Sequence, residues 1–554
     1  MMKNINIPVY LFIFPIIPFL FIITNNYIEI KLFSSFFMLL IISIATVFTF
    51  FIMNIKIKNV NKSALISAML IILLFNINSL FSIFQDSFNF KLINKYLFLL
   101  SSFLIWFGFS FLIIKKDFKF EKLNKILNII AISLLVINIC AIPLDAYNKE
   151  LKSLITDIGN TEKTASKNKT TNTPDIYYII LDAYSNNRAL KEFYNYDNKD
   201  FIEWLEKEGF YVAKNSTANY PITLLSVTST LKMNYVYKDI ANLKTEKEKN
   251  FMLSILRENN TVLKSLLTKG YKFYFIGNRS PFKELEQLSE VKLSKYSNNL
   301  IVYIINSSIF GLLNIKIVDF QVNDFNKDIE WLNNSYKIKG HPKFIMVHLL
   351  APHPPYLFDK TGKPNKFENR YKETEGWSML KRDLYLGSLI NTNRIIKELI
   401  INLKKNSSNK PIIIIQSDHG PCSCFLEYCA NQYKKYLKQK NIDCSKYDQA
   451  ELMRKLLIDN SYISSSSTSK FTPYKNGFKE RFGIINAYYF PDGKYNNLYN
   501  DITPINSFRI ILNQYFKEDF SLLEDKNYYS EYNYVFFDVT DDVRKIYRNE
   551  KNEK

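Results

Sequence analysis

The stretch PIIIIQSDHG, residues 411–420, joins an apolar strand directly to a pair of chemically active side chains. Four consecutive isoleucines after a proline are typical of a strand buried on both faces, as in the middle of a parallel sheet. Asp418 and His419 follow at its end, where a carboxylate and an imidazole are costly to bury without a partner. The stretch therefore predicts a parallel strand that carries a polar site at its carboxyl end.

Similar apolar runs recur after Pro174 and alternate with helical patterns. The runs are DIYYIILDAY, KFYFIGN, KFIMVHLL, PIIIIQSD and GIINAYYFP, and helices are predicted over 197–208, 246–269 and 378–405. This alternation predicts an α/β domain with a mostly parallel sheet over 174–554. Functional groups of such sheets gather beyond the carboxyl ends of the strands. Asp182 and His348 end two other strands, so we expect them near Asp418 and His419.

The first 145 residues have a different character, since they contain five apolar segments. Each is close to the ~20 residues that a membrane-spanning helix needs. Lysines are concentrated in the second and fourth loops, which the positive-inside rule places in the cytoplasm. We therefore expect a multi-pass protein of the cytoplasmic (inner) membrane, with five spans in a transmembrane domain 1–145, a polar linker 146–173 and an extracytoplasmic domain 174–554. The segments are 7–24, 31–53, 64–84, 96–114 and 126–144.

The net charge of +20 gives little information about partners. Lysine and asparagine are abundant throughout the chain, whereas a nucleic-acid-binding protein clusters its basic residues on one face. We therefore expect no nucleic-acid partner. Lysines beside the predicted spans suit anionic lipid head groups better.

Four of the five cysteines lie close together in the predicted outer domain. Outside the cytoplasm such a group more often forms two disulfides than a zinc site, and three pairings are possible. The disulfides would either only stabilise the loop that contains them or also stiffen it because it borders a functional site. The four are Cys422, Cys424, Cys429 and Cys444, and Cys140 lies in the fifth apolar segment.

The stretch NYPITLLSVTSTLKM, residues 219–233, predicts a helix that starts near Thr223. Threonine is a good N-cap, so its role could be structural. A hydroxyl at a helix N-terminus also lies beside free N–H groups and a positive dipole, which favour an alkoxide and an attacked phosphate. Both interpretations stay open on the residues alone.

Four motifs in this order resemble the metal-dependent alkaline phosphatase superfamily: ILDAY, TLLSV at 223–227, HLLAPHPPY at 348–356 and SDHG at 417–420. They look most like its membrane-anchored sulfatase-like transferases, which include lipid A phosphoethanolamine transferases and lipoteichoic acid synthases. The resemblance implies one divalent metal ion, zinc or manganese, held by Asp182, Thr223, Asp418 and His419. It also implies that Thr223 is the nucleophile and that His353 contacts the transferred group.

The implied reaction is transfer of a phosphoethanolamine- or phosphoglycerol-like group. The donor would be a membrane phospholipid, the acceptor a cell-surface glycan or lipid, and the intermediate a phospho-threonine. Two features depart from relatives: no histidine follows His419, and Thr223 stands where sulfatases need a cysteine or serine with an arginine nearby. The alternatives are a sulfatase-like hydrolase or phosphodiesterase, and a membrane scaffold without catalysis.

Overall fold

The computed structural model describes residues 8–25, 32–88, 94–116, 120–140, 173–277, 282–291, 293, 304–305, 307–313, 320–365, 379–421, 437–443, 473–530 and 536–548. The chain forms two compact units. The first unit comprises Met1–Leu151 and Ser294–Asp324, and the second comprises Lys152–Leu293 and Phe325–Lys554. The chain therefore returns to the first unit once after entering the second. The predicted boundaries 1–145, 146–173 and 174–554 stay predictions.

The first unit contains five long helices within residues 8–140. In the described part of the chain, three segments are long and apolar enough to cross a membrane: Leu39–Ile57, Val60–Phe81 and Lys95–Lys115. The predicted count of five spans and their orientation stay predictions. The helices are α1 Tyr10–Asn25, α2 Leu32–Ile57, α3 Val60–Phe88, α4 Lys95–Lys115 and α5 Phe120–Cys140.

The helices of the first unit pack through small and apolar side chains. Near the start of α1, Tyr10 and Leu11 lie against Ala64 and Ala68 of α3 and Ala131 of α5. Small residues let helices approach closely, which is common where lipid and protein interiors are equally apolar. Many large apolar side chains on the outside of α2, α4 and α5 are exposed, as expected for surfaces that face hydrocarbon.

The second unit is built on a six-stranded sheet of order β2-β6-β5-β1-β4-β3. Strand β1 lies between β4 and β5 and is parallel to both, and β3 is parallel to β4. Only β6 runs antiparallel to its neighbours β5 and β2. The predicted mostly parallel α/β fold is confirmed. The strands are β1 Ile176–Leu181, β2 Tyr211–Val212, β3 Lys272–Gly277, β4 Lys343–Leu349, β5 Ile412–Gln416 and β6 Asn486–Tyr489, with a separate pair β7 Tyr528–Tyr529 and β8 Phe537–Asp538.

Helices cover the sheet, and two of those predicted lie where the sequence places them, at 199–207 and 379–406. The predicted helix 246–269 is two helices, because the Asn260 side chain accepts a hydrogen bond from Leu263 N at 2.7 Å and caps the second one. The helices that follow α5 in the chain are α6 Asn187–Tyr194, α7 Lys199–Lys207, α8 Thr223–Lys232, α9 Tyr237–Ile240, α10 Glu246–Glu258, α11 Thr261–Thr268, α12 Lys283–Leu288, α13 Ile309–Leu312, α14 Phe320–Asn334, α15 Met379–Asn406, α16 Pro473–Phe482, α17 Pro504–Phe516 and α18 Thr540–Arg548, of which α13 belongs to the first unit.

A buried polar contact joins the two central strands to α17. The Tyr178 hydroxyl of β1 donates to Gln416 Oε1 of β5 at 2.9 Å, and Gln416 Nε2 donates to Ser507 Oγ of α17 at 2.9 Å. Tyr178 also packs edge-on against Phe508. Satisfied polar groups in a dense core fix relative positions. The carboxyl ends of β1 and β5, which carry the predicted site, are therefore held in register.

Candidate metal centre and nucleophile

Three of the predicted ligands meet at the carboxyl ends of β1 and β5. Asp182 follows β1, and Asp418 and His419 follow β5 after one intervening serine. Because the two strands are parallel neighbours, with Ile180 opposite Gln416, their ends lie side by side. All three residues are buried, and one ligand atom from each lies within 4.8 Å of the others.

The two carboxylates each keep one oxygen without a hydrogen-bond partner. Asp418 Oδ1 accepts from Ala183 N at 3.2 Å and from His419 N at 2.9 Å. Its Oδ2 and the Oδ1 of Asp182 are buried and have no hydrogen-bond partner among the described residues, and His419 Nε2 lies 3.4 Å from the former and 3.8 Å from the latter. Buried carboxylate oxygens are costly unless a cation or a donor faces them. A divalent ion between them would satisfy both.

His419 presents a lone pair to the same point. Its Nδ1 lies 2.9 Å from the Gly420 carbonyl oxygen, which can only accept, so Nδ1 carries the hydrogen. Arg481 Nη1 donates to the same carbonyl at 2.8 Å. Burial, with a further contribution from the Arg481 charge, lowers the pKa of His419 to about 4. The imidazole is therefore neutral near pH 7, with Nε2 free to bind a metal.

Asp182 is surrounded by imidazoles. Burial alone would raise its pKa, but His353, His348 and His419 together hold the pKa of Asp182 well below its ordinary value. His348 Nε2 lies 3.4 Å from Asp182 Oδ2. The backbone N–H of His353 donates to the backbone carbonyl of Asp182 at 3.1 Å. The Nδ1 of His353 lies 2.5 Å from the Pro354 carbonyl oxygen, which leaves its Nε2 for proton exchange.

Thr223 is the first residue of α8 rather than its cap. Ile222 occupies the N-cap position, and the Thr223 hydroxyl lies 3.0 Å from His419 Nε2. The capping interpretation of Thr223 is therefore wrong, because its side chain faces the ligand cluster and not the helix backbone. The exposed N–H groups and the dipole of α8 add a positive potential there.

Several residues that support the site were not predicted from the sequence. Ala183 has a left-handed backbone, with φ of 59°, in the turn after Asp182. The Tyr385 hydroxyl of α15 donates to the Ala183 carbonyl at 3.0 Å and accepts from Ser185 N at 3.2 Å. The Ser417 hydroxyl accepts from Tyr184 N and donates to the His419 carbonyl. No sequence pattern reveals the contacts of Tyr385 or the contact of Ser417 with Tyr184, because each joins residues 200 or more positions apart.

Gly420 is required by close packing behind His419. A Cβ at this position would lie 1.8 Å from the Glu480 carbonyl oxygen, and Gly420 N donates to the Arg481 carbonyl at 2.7 Å. Only glycine allows the chain after β5 to approach the end of α16 so closely. This explains the glycine of the SDHG motif in terms of packing.

The cluster fits a divalent metal ion by its donor set. Two carboxylates, one neutral imidazole and a nearby hydroxyl are an oxygen-rich group of the kind that binds zinc or manganese. The four clustered cysteines lie outside the described residues, so their pairing stays a prediction.

A comparison of the sequence with protein families supports this interpretation of the site. Residues 178–508 match the model of the sulfatase family. The chain belongs to the sulfatase family. It is therefore a member of the alkaline phosphatase superfamily, as the four motifs predicted. The match contains Asp182, Thr223, His353, Asp418 and His419. A comparison with curated proteins found no match to this chain.

Several solved structures are weakly similar to this chain in fold and in sequence. The periplasmic domain of phosphoethanolamine transferase EptC from Campylobacter jejuni is 14% identical, covers 66% of this chain and 94% of its own, and has a TM-score of 0.33. The corresponding domain from Escherichia coli in complex with Zn is 13% identical over 67% of this chain and 94% of its own, with a TM-score of 0.38. The soluble domain of lipooligosaccharide phosphoethanolamine transferase A from Neisseria meningitidis is 12% identical over 63% of this chain and 90% of its own, with a TM-score of 0.34. These similarities are too weak to assign a reaction.

Proposed function

We propose that this sulfatase-family enzyme transfers a phospho-substituent, of the phosphoethanolamine or phosphoglycerol kind, from a membrane phospholipid to a hydroxyl of a cell-surface glycan or lipid. The observation that carries the proposal is the Thr223 hydroxyl, which lies 3.0 Å from His419 Nε2 at the edge of the buried cluster. A hydroxyl beside a neutral imidazole, two carboxylates and a helix N-terminus is placed as a nucleophile, since it makes no capping bond.

The cluster of Asp182, Asp418, His419 and Thr223 would hold one zinc or manganese ion. Such an ion would lower the pKa of the Thr223 hydroxyl and neutralise negative charge on phosphoryl oxygens. The unpartnered oxygens of Asp182 and Asp418 support this ligand set.

In the first step Thr223 Oγ attacks the phosphorus of the donor. The new bond is Oγ–P, and the bond that breaks joins phosphorus to the lipid oxygen, which leaves as an alcohol after taking a proton. The Thr223 hydroxyl loses its proton to solvent as it attacks. His353 is the candidate proton donor in its doubly protonated form, because the Pro354 carbonyl holds its Nδ1 hydrogen and leaves the Nε2 proton to pass to the lipid oxygen. In the second step the acceptor hydroxyl gives its proton to the now neutral Nε2 of His353 and attacks the phospho-threonine. The bond between Oγ and phosphorus breaks, and the released Thr223 oxygen takes a proton from solvent, which restores the hydroxyl and the protonated His353.

Water as the second acceptor would make the same site a hydrolase or phosphodiesterase. Sulfate-ester hydrolysis has less support, because sulfatases need a cysteine or serine where Thr223 stands. The acceptor therefore distinguishes the two reactions: a transferase releases little free head group until an acceptor is added. We further propose that the second unit lies outside the cytoplasmic membrane, beside its lipid donor.

Intact-mass analysis of the full-length protein in lipid nanodiscs tests the proposal. The chain is incubated with phosphatidylethanolamine or phosphatidylglycerol in the presence of zinc or manganese. The expected result is an adduct on Thr223, whose mass identifies the group transferred. Thr223→Val keeps the shape of the side chain and should form none, whereas Thr223→Ser should retain it.

Ser226→Ala is the matched control, because Ser226 is a buried hydroxyl on the same helix. Its variant should form the wild-type adduct. An adduct that persists in Thr223→Val would contradict the proposed nucleophile. Bound metal with neither an adduct nor head-group release, with either donor, would contradict phospho-transfer and favour a scaffold.

A further inference from the structure

One segment between β3 and β4 belongs with the helices of the first unit. The two strands are parallel neighbours in the sheet of the second unit, yet Ser294–Asp324, which lies between them in sequence, is part of the first unit. Its described residues 304–305 and 307–313 are mostly apolar. A connection between two parallel strands does not need a segment that belongs to another unit.

Ile304 is enclosed by three helices of the first unit. It is 1% exposed and packs in a cluster with Phe19 of α1, Ile42 of α2 and Ile71 of α3. The short helix α13, Ile309–Leu312, packs against α3 as well. The segment is therefore inserted among the helices and does not merely touch their ends.

The positions of these contacts along the helices give the depth of insertion. Ile42 lies ten residues after the start of α2 at Leu32, and Ile71 lies seventeen residues before the end of α3 at Phe88. At 1.5 Å per residue these separations are about 15 Å and about 25 Å. Both stretches, Leu39–Ile57 and Val60–Phe81, are apolar enough to span a bilayer, whose hydrocarbon core is about 30 Å thick. Ile42 and Ile71 both lie within these stretches, so Ile304 packs against the apolar part of the two helices.

Several backbone groups of the described residues in this segment are hydrogen-bonded within it. Ser308 N donates to Ile304 O at 3.1 Å, and Leu312 N donates to Ser308 O at 3.1 Å. Where the helix is interrupted, the Ser308 hydroxyl donates to Ile305 O at 2.7 Å and accepts from Phe310 N at 3.2 Å. Irregular backbone is tolerated within a membrane only where its polar groups are satisfied and protein surrounds it.

We propose that the described residues 304–305 and 307–313 belong to a re-entrant membrane segment of the enzyme. Both of its ends continue into the second unit, so the segment enters and leaves on the same side and does not cross. Ile304 fills a space among α1, α2 and α3, whereas Phe310, which is 40% exposed, faces the acyl chains of the surrounding lipid. The proposal does not depend on the reaction proposed for Thr223.

Disulfide cross-linking in the full-length protein tests the insertion. Ile304→Cys is paired in turn with Phe19→Cys, Ile42→Cys and Ile71→Cys in membranes, in a background whose native cysteines are serine and whose elution on gel filtration matches wild type. Ile304→Cys with Ile44→Cys is the matched control, because Ile44 is close to Ile42 in sequence but is 59% exposed. A protease site in the predicted linker separates the two halves of the chain.

After oxidation and cleavage, at least one of the three pairs should migrate as a single band that a reducing agent splits, and the control should give two bands. Cross-linking no stronger in any of the three pairs than in the control would overturn the insertion.

Lipid contact has a separate test in proteoliposomes. A fluorophore on Phe310→Cys should be quenched by phosphatidylcholine with brominated acyl chains, relative to the same lipid without bromine. Leu522→Cys is the control, because Leu522 is similarly exposed at 47% but belongs to the second unit. Quenching at Phe310 and not at Leu522 supports the proposal. Equal quenching at both positions, or none at Phe310, would show that residue 310 does not face the acyl chains.

Discussion

The substitution Asp418→Asn should reverse its effect on stability when the metal is removed. Asp418 and Asp182 each keep one buried carboxylate oxygen without a hydrogen-bond partner, and one ligand atom of each lies within 4.8 Å of the other. Without an ion the two negative charges repel each other. With an ion they are the ligands that hold it. The same substitution should therefore relieve a repulsion in one state and remove a ligand in the other.

The magnitudes follow from the geometry. Two unit charges within 4.8 Å of each other repel by roughly 3 kcal/mol at an effective dielectric constant of 20. Ala183 N and His419 N donate to the Asp418 carboxylate and offset part of this repulsion, so we expect the ion-free variant to be about 1–2 kcal/mol more stable than the ion-free wild type. An ion at 100 times its dissociation constant stabilises the wild type by about 2.7 kcal/mol. The variant should lose most of this stabilisation.

Thermal unfolding of the full-length protein in nanodiscs measures both effects. The wild type and Asp418→Asn are each heated after chelation and after addition of zinc or manganese. The wild-type midpoint should rise by roughly 5 °C with the ion, since a large domain shifts by about 2 °C per kcal/mol. The variant should shift little. It should melt above the wild type in chelator and below it with the ion.

Asp239→Asn is the control, because it removes the same charge from an ion pair with Lys232 outside the cluster. Its effect should be equal with and without metal. Equal destabilisation of the chelated and the metal-loaded protein by Asp418→Asn would contradict a metal held by this carboxylate, and so would a wild-type midpoint that no divalent ion shifts.

Three further substitutions test other parts of the second unit. Burial, together with the neighbouring Glu284, raises the pKa of Glu258 to about 7. Between pH ~4.5 and 7 the folded protein therefore keeps a proton on Glu258 that the unfolded chain has lost. The free energy of unfolding consequently falls as the pH rises through this range. Glu258→Gln should remove this fall and stabilise the protein at pH 8 by roughly 1–3 kcal/mol, measured by denaturant unfolding. Gly420→Ala places a Cβ 1.8 Å from the Glu480 carbonyl oxygen, so we expect a loss of about 3 kcal/mol or more and weaker zinc binding by calorimetry. Tyr385→Phe leaves the Ala183 carbonyl without its donor, which should cost about 1–2 kcal/mol and lower the rate of adduct formation on Thr223.

Each of these predictions has an outcome that contradicts it. A pH profile unchanged by Glu258→Gln would mean that Glu258 is ionised at little cost in the folded state. Wild-type zinc affinity in Gly420→Ala would show that the chain behind His419 adjusts freely. If Tyr385→Phe lowers stability without changing adduct formation, Tyr385 supports the fold but does not position Asp182.

Local sequence predicted the strands and several helices because their patterns depend on neighbouring residues. The isoleucines of β5 form a strand buried on both faces, and the runs that predicted β1, β3, β4 and β6 lie in the same sheet. The ends of these strands also pointed to the ligand cluster, since parallel neighbours bring their carboxyl ends together. The prediction of one continuous helix over 246–269 was wrong in the middle, because Asn260 caps a second helix there although the apolar pattern continues.

The role of the Thr223 side chain was open in the sequence and depends on tertiary contact. A threonine at the start of a helix has two possible partners, and only the position of His419, 196 residues away, selects one. The contacts of Tyr385 and Arg481 with the site are of the same kind. Each joins residues far apart in the chain, so no periodicity or spacing reveals it.

The sequence by itself determined the fold class, the family and the residues able to bind a metal, because these follow from hydrophobic patterning and from short motifs. Tertiary structure decided which carboxylate oxygens lack a hydrogen-bond partner, which nitrogen of His419 carries its hydrogen, and that Ile304 packs with Phe19, Ile42 and Ile71. The physical reason is that burial and hydrogen bonding belong to groups brought together by packing. Chain neighbours specify local conformation, but only the packed structure determines which polar atoms face a ligand and which apolar ones face lipid.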